Sequence, residues 1–317
     1  MRVVFLGTPE FAVPALEALL ASPVEVLAVF TQPDRPAGRG RRLTPPPVKV
    51  RAQAGGLPVR QPERVRAADV ASLSPDAVVL AAYGQYLSKK LLAVPPLGVL
   101  NLHPSLLPRW RGAAPIQRAL LAGDRECGVC VMRVVPELDA GPVLSRVVLP
   151  IGARDTAEDL HDRLAAAGGP LLVEALLRLE RGEAEEEPQE ESLATYAAKL
   201  TKGEAPLDWA LAAEELDRRV RGLRPWPVAE TAWRGMENGP VRIWRAYPLA
   251  ARPGEEARPG EVLGPGDSPE GAGLRVRTGS GDLLLLEVQP PGGQRMAADA
   301  LLRGRPLARG ARLGEGG

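Results

Sequence analysis

The chain has 317 residues, 45% hydrophobic and 25% charged, with 40 Lys+Arg against 39 Asp+Glu for a formal charge of +1. That length suits two domains of roughly 150 residues each, with cores that need no disulfide or metal staple, and the charge balance excludes a uniformly basic coat but not a local basic patch. No run approaches the roughly eighteen apolar residues of a membrane span, the opening MRVVFLGTPEF breaks too soon for an export signal, and with two cysteines a cytoplasmic protein is expected.

Residues 2–7 form a short apolar run ending in Gly7, followed by an amphipathic stretch over 11–20. Segments 24–31, 77–82 and 98–102 read as further strands. Short helices are predicted over 65–73, 87–92 and 115–122. Continuous apolar strands separated by helices point to an α/β fold with a Rossmann-like, mostly parallel sheet buried on both faces. Gly7-Thr8-Pro9 is not a dinucleotide fingerprint, so no NAD site is expected. Ligands of such sheets still sit beyond the carboxyl ends of the strands.

Two more strands are predicted over 129–135 and 142–150, joined through Leu138-Asp139-Ala140-Gly141. Residues 156–181 read as helical, with Gly168-Gly169-Pro170 expected to interrupt them. Residues 183–191 read as an acidic surface connection. From Ala210 the texture changes to one helix over 212–221 and five short strands over 228–233, 241–247, 260–263, 274–278 and 283–289. This suggests a C-terminal OB-like β-barrel domain. The predicted organisation is a first domain over 1–195, a linker over 196–209 and the OB-like domain over 210–317.

The chain has only two histidines, His103 and His161, and two asparagines, Asn101 and Asn238. One of each falls in Asn101-Leu102-His103. Residues two apart on a strand share a face, so Asn101 and His103 aim into one cleft at a strand end. Pro104 and Pro108 keep the following Ser105-Leu106-Leu107 extended. An Asn amide donates to a carbonyl oxygen as it becomes an oxyanion, and a His beside it shuttles a proton or stabilises charge. A buried His bonded to backbone is the plain alternative. Asp139 is the natural third member, able to orient His103, although an Asp in such a turn is commonly only a turn residue.

Residues 32–43 carry Arg35, Arg39, Arg41 and Arg42 against Asp34, a local charge of +3. Pro and Gly make this an exposed loop, and guanidinium forks suit phosphate, so nucleic acid is the expected partner and a solvated loop the alternative. Cys127-Gly128-Val129-Cys130 has C-x-x-C spacing, but positions three apart on a strand face opposite sides, so no metal or redox pair is expected. His161 lies among charged neighbours and reads as a surface or packing residue. From Ala205 onward there are 16 Arg, no Lys and 15 acidic residues, so binding there requires charge segregated on one face.

The segments FLGTPEFAVPALEAL, FTQPDRPAGRG, AAYGQYL, NLHPSLLPRWRGAAPIQRAL, ELDAGPVL and LRPWP occur in that order over residues 5–227. With them the chain resembles the methionyl-tRNA formyltransferases of the folate-dependent formyltransferase family. The resemblance implies transfer of formyl from 10-formyltetrahydrofolate to the α-amino group of methionine on initiator tRNA. It implies Asn101, His103 and Asp139 as the catalytic trio and Ser105, Leu106, Leu107 and Pro108 as a folate-binding loop. Gly84, Gln85, Tyr86 and Leu87 match the stretch lining the pterin pocket. Arg35, Arg39, Arg41 and Arg42 match the insertion that enters the tRNA acceptor stem. No metal, no membrane and no obligate protein partner is implied.

The residue chemistry is compatible. A primary amine attacks the formyl carbon, Asn101 and His103 stabilise the oxygen, and Asp139 accepts a proton directly or through water. Three other readings use the same residues: a formyltransferase acting on a small amine, a hydrolase releasing formate from the same folate, and a non-catalytic RNA-binding protein. The arginine loop favours tRNA over a small amine; the extra domain argues only against a glycinamide ribonucleotide acceptor, since an amino-sugar nucleotide enzyme can also carry one. The trio disfavours a pure binding module.

Overall fold

The computed structural model describes residues 1–37, 42–236 and 238–314. They divide into two compact units. The first holds residues 1–116, 125–151 and 159–198; the second holds 117–124, 152–158 and the chain from 199 onward.

The first unit contains one seven-stranded sheet: β1 (Arg2–Gly7), β2 (Glu25–Phe30), β3 (Val59–Arg60), β4 (Ala77–Ala81), β5 (Val99–His103), β6 (Glu126–Arg133) and β7 (Val143–Pro150). The order is β7-β6-β5-β4-β1-β2-β3. Strands β1 to β5 pair in parallel; β6 and β7 are antiparallel additions. Residues in β1, β4 and β5 are almost all buried, as apolar strands covered on both faces must be. Strand β7 instead alternates half-buried and exposed positions, the pattern of an edge strand with one wet face. The chain starts at β1, runs outward to β3, then returns to add β4 and β5 on the other side. The order therefore reverses between β1 and β4, and β5 ends beside that switch point, where such sheets bind ligands.

Helices α1 (Val13–Leu20) and α2 (Pro47–Ala54) and most of α4 (Ala157–Glu180) belong to this unit, while α3 (Pro115–Ala122) follows β5 in the chain and has residues 117–122 in the second unit. The expected interruption at residues 168–170 does not occur: α4 is a continuous 24-residue helix with Pro170 inside it. The glycines there serve close packing. A Cβ at Gly168 would stand 2.8 Å from Leu102 Cδ2, and one at Gly169 would stand 2.9 Å from both Ala18 Cβ and the Pro14 carbonyl oxygen. The seating of Leu160, Leu164, Leu172 and Leu176, all fully buried, offsets the hydrogen bond lost at Pro170.

The acidic stretch 183–191 is mostly exposed, as expected of a surface connection, and both it and the following linker pair with the sheet unit. Glu187 exchanges both backbone hydrogen bonds with Val143, each 2.9 Å, and Tyr196–Ala197 pairs in parallel with Arg111–Gly112.

The second unit has helix α5 (Ala213–Gly222), then β8 (Ala229–Thr231), β9 (Val241–Leu249), β10 (Val262–Ser268), β11 (Gly271–Arg277), β12 (Asp282–Gln289), β13 (Met296–Ala297) and α6 (Ala298–Gly304). The strands form an antiparallel sheet in the order β8-β9-β12-β11-β10, with β13 on β12. The antiparallel sheet is as expected, but no strand pairing among the described residues closes β10 onto β8 as a barrel would. Asp282, fully buried at the start of β12, takes Arg275 Nε at 2.9 Å and Arg277 Nε at 3.1 Å from the facing strand. No helix among the described residues is long and apolar enough to cross a membrane.

Two predictions follow the packing. Gly169→Val should lose about 1–3 kcal/mol of stability, seen as a lower denaturant midpoint, because the Pro14 backbone cannot move aside. Cys127 and Cys130 are both buried on β6 and form no disulfide, and burial pushes the Cys130 thiol up to about 11. A disulfide reagent at about pH 8 should therefore find neither thiol in the native protein and both after denaturation.

Candidate active site

Asn101 and His103 lie at the carboxyl end of β5, both buried. Parallel pairing places Asn101 beside Leu80 of β4; antiparallel pairing places Asn101 beside Met132 and His103 beside Cys130 of β6. The His103 Nε2 atom is 3.0 Å from the Trp110 carbonyl oxygen. A carbonyl only accepts, so Nε2 carries the proton there and Nδ1 is left to face Asp139. The Nδ1 to Asp139 Oδ2 distance is 3.8 Å, beyond a direct hydrogen bond.

Asp139 sits in the turn between β6 and β7 with φ +48°. Its Oδ2 accepts a 2.9 Å hydrogen bond from the Gly112 N–H. His103 and Asp139, far apart in sequence, thus face each other in the first unit, with Asn101 two residues before His103 on the same strand. Gln189 is a further component. Its amide nitrogen donates to the carbonyls of Asp139 at 2.8 Å and Gly141 at 2.7 Å, while its oxygen accepts from Arg111 Nε at 3.1 Å. Arg111 is buried and forks onto Glu191 at 3.0 and 2.9 Å. None of Gln189, Arg111 or Glu191 was singled out from sequence. The only available signal was an amide set in an otherwise acidic run.

The loop after β5 turns at once, with Ser105 N–H donating to the His103 carbonyl at 2.9 Å. Ser105 is buried, and its hydroxyl has no hydrogen-bond partner among the described residues. Leu106 and Pro108 are half-buried. Leu107 instead packs with Cys130, Met132 and Val143, so its side chain belongs to the core. Thr195 steadies the far end: its N–H donates to the Pro108 carbonyl at 3.3 Å and its hydroxyl accepts from Trp110 N–H at 2.9 Å.

Residues 84–87 divide by role. Gln85 closes onto the earlier segment 62–65, accepting from Val65 N–H at 2.8 Å and donating to the Pro62 carbonyl at 3.1 Å. Leu87 is in the core beside Tyr83 and Leu91. Gly84 and Tyr86 are exposed. Within this stretch, only the Tyr86 side chain is exposed.

Flanking the arginine loop, Arg35–Ala37 and Arg42–Thr44 form an antiparallel ribbon rather than irregular chain. Arg35 and Arg42 are exposed, and Arg35 donates to Gln32 Oε1 at 3.2 Å. Arg39 and Arg41 lie outside the described residues. Asp34 binds Gln61 and Lys49, each at 2.7 Å, and these contacts hold its carboxyl below the usual carboxylate range. The loop's one carboxylate is thereby neutralised by Lys49. His161 is a packing residue, 2.9 Å from Asp162 and edge-on to the Phe11 ring.

Comparison with known proteins shows the family. Residues 1–176 match the formyl transferase family and residues 199–306 match the formyl transferase C-terminal domain. The chain is 51% identical to a methionyl-tRNA formyltransferase from Methylococcus capsulatus, over 99% of this chain and 100% of that one. It is 50% identical to another from Halorhodospira halophila, over 98% of each. Among solved structures, the N-formyltransferase from Helicobacter canadensis, in complex with folinic acid and dTDP-3-aminofucose, superposes with a TM-score of 0.67. That match covers 93% of this chain and 100% of the other at 15% identity, a likeness of fold.

Proposed function

The chain belongs to the methionyl-tRNA formyltransferases, and from that premise we propose that Asn101, His103 and Asp139 carry the transfer of formyl to methionyl-tRNA. The observation that carries the assignment is the convergence of Asn101 and His103 on one strand end with a carboxylate 3.8 Å from the imidazole. Asn101 donates its amide hydrogen to the formyl oxygen as negative charge builds there. His103, with Nε2–H held on the Trp110 carbonyl, supports that charge from its Nδ1 side. Asp139 takes a proton from the attacking amine, directly or through a water. The new C–N bond forms as the bond to the folate nitrogen breaks, and the proton returns to that departing nitrogen.

The donor is 10-formyltetrahydrofolate, which supplies the formyl group when bound. Ser105, Leu106 and Pro108 would hold it, with Gly84 and Tyr86 on the neighbouring loop. The buried, unpartnered Ser105 hydroxyl beside half-buried apolar side chains suits a ligand that combines an apolar ring with polar edges. Leu107, Gln85 and Leu87 serve the same pocket by holding its backbone. The amine acceptor is initiator methionyl-tRNA, and Arg35, Arg39, Arg41 and Arg42 hold its acceptor stem. Guanidinium forks and a neutralised Asp34 support that reading. The enzyme works in the cytoplasm.

The test is formyl transfer from 10-formyltetrahydrofolate with methionyl initiator tRNA and a glycinamide ribonucleotide offered in parallel; product is expected on the tRNA alone. Asn101→Ala and His103→Ala should each lose on the order of 10²–10³ in kcat with the fold intact. Turnover near wild type in either would overturn its role. Arg42→Ala should raise KM for tRNA, leave KM for the folate unchanged, and lower the salt dependence of tRNA binding by about one phosphate contact.

A further inference from the structure

We infer that Gln189 is a positioning residue for the transfer, acting through Asp139; the inference rests on the catalytic reading of Asp139 above. Asp139 has φ +48°, the left-handed region that a side chain bearing a Cβ rarely adopts. Such a conformation persists only where its surroundings over-determine it. The Asp139 carboxylate has the Gly112 N–H, but the main chain of the turn is held by Gln189, whose one amide nitrogen bridges the carbonyls of Asp139 and Gly141. That bridge spans the turn and fixes the angle at which the carboxylate is presented to His103.

The orientation of Gln189 is not a free choice. Arg111 Nε donates to its oxygen, so its nitrogen must face the two carbonyls. Arg111 in turn is buried and forked onto Glu191, and the next residue, Gly112, supplies the N–H on Asp139. Backbone pairing of Glu187 with Val143 and of Tyr196–Ala197 with Arg111–Gly112 fixes residues 187–197 along the back of the turn. This strap touches neither the amine nor the formyl group. It sets the distance between two groups that do.

The experiment compares Gln189→Leu and Gln189→Glu in the full-length enzyme, each alone and combined with Asp139→Asn, by steady-state kinetics with both substrates and by thermal unfolding. Gln189→Glu keeps an oxygen for Arg111 but loses both donors to the turn, so it separates holding Arg111 from holding Asp139, and it carries the test if Gln189→Leu does not fold. Misplacing a catalytic group by about 1 Å costs on the order of 10²-fold, so both variants should lose kcat on that scale. KM for tRNA and folate should stay within about twofold, and neither variant should slow Asp139→Asn further. A Gln189→Glu enzyme with wild-type kcat, or a loss repeated in full on the Asp139→Asn background, would overturn the inference and leave Asp139 standing. Wild-type kcat in Asp139→Asn alone would overturn the reading of Asp139 itself, and the inference with it.

Discussion

Strand β5 is paired on both edges, in parallel to β4 and antiparallel to β6, and its five residues are all buried. A slip of one residue would turn Asn101 and His103 to the opposite face and bring Val99, Leu100 and Leu102 out of their packing. The glycine face of α4 presses on Leu102, so the strand is held from that side as well. Asn101 and His103 therefore sit at the end of an element that has one register available to it. Parallel topology adds the rest: β5 ends beside the point where the strand order reverses, which leaves a crevice beyond its carboxyl end.

Across from β5, the wall bearing Asp139 is built in another way. It is a turn between two antiparallel strands, without register of its own, and its backbone is strained. Its hydrogen bonds come from Gly112 and Gln189, on segments 27 and 50 residues further along or back in the chain. A buried guanidinium at Arg111 joins those segments. Removed from water, it requires a carboxylate and an amide oxygen as partners, and this need ties Glu191 and Gln189 to one place. The result is a carboxylate and an imidazole fixed near each other before any substrate arrives, the condition under which such groups stabilise developing charge most effectively.

In the second unit, the near-equal counts of arginine and acid conceal an uneven use of charge. Arg275 and Arg277 flank the buried Asp282, and Arg154 and Arg221 meet at Asp217 at 2.9 and 2.7 Å. These arginines hold the unit's own elements together. Composition alone could not separate them from arginines that face a phosphate, because the separation depends on which acid each one meets in space.

Much of the first unit was legible in the chain. Apolar runs marked β1, β2, β4 and β5 to within one or two residues, because strands buried on both faces leave no polar position to blur the signal. The asparagine and histidine two apart on β5 were legible for the same reason, and the family motifs carried the activity. Gly168-Gly169-Pro170 was misread as a break because the same residues serve close helix packing, and only the neighbours reveal which. The two-residue strand β3 and the open order of the second sheet were beyond reach, since neither has a periodicity of its own. Local pattern by itself determined the strands, the pairing of Asn101 and His103 on one face of β5 and the family. Tertiary structure alone decided which nitrogen of His103 faces Asp139, which loop residues turn inward to the core, and that Gln189 and Arg111 hold the turn. Those outcomes depend on partners tens of residues away, and no local spacing encodes them.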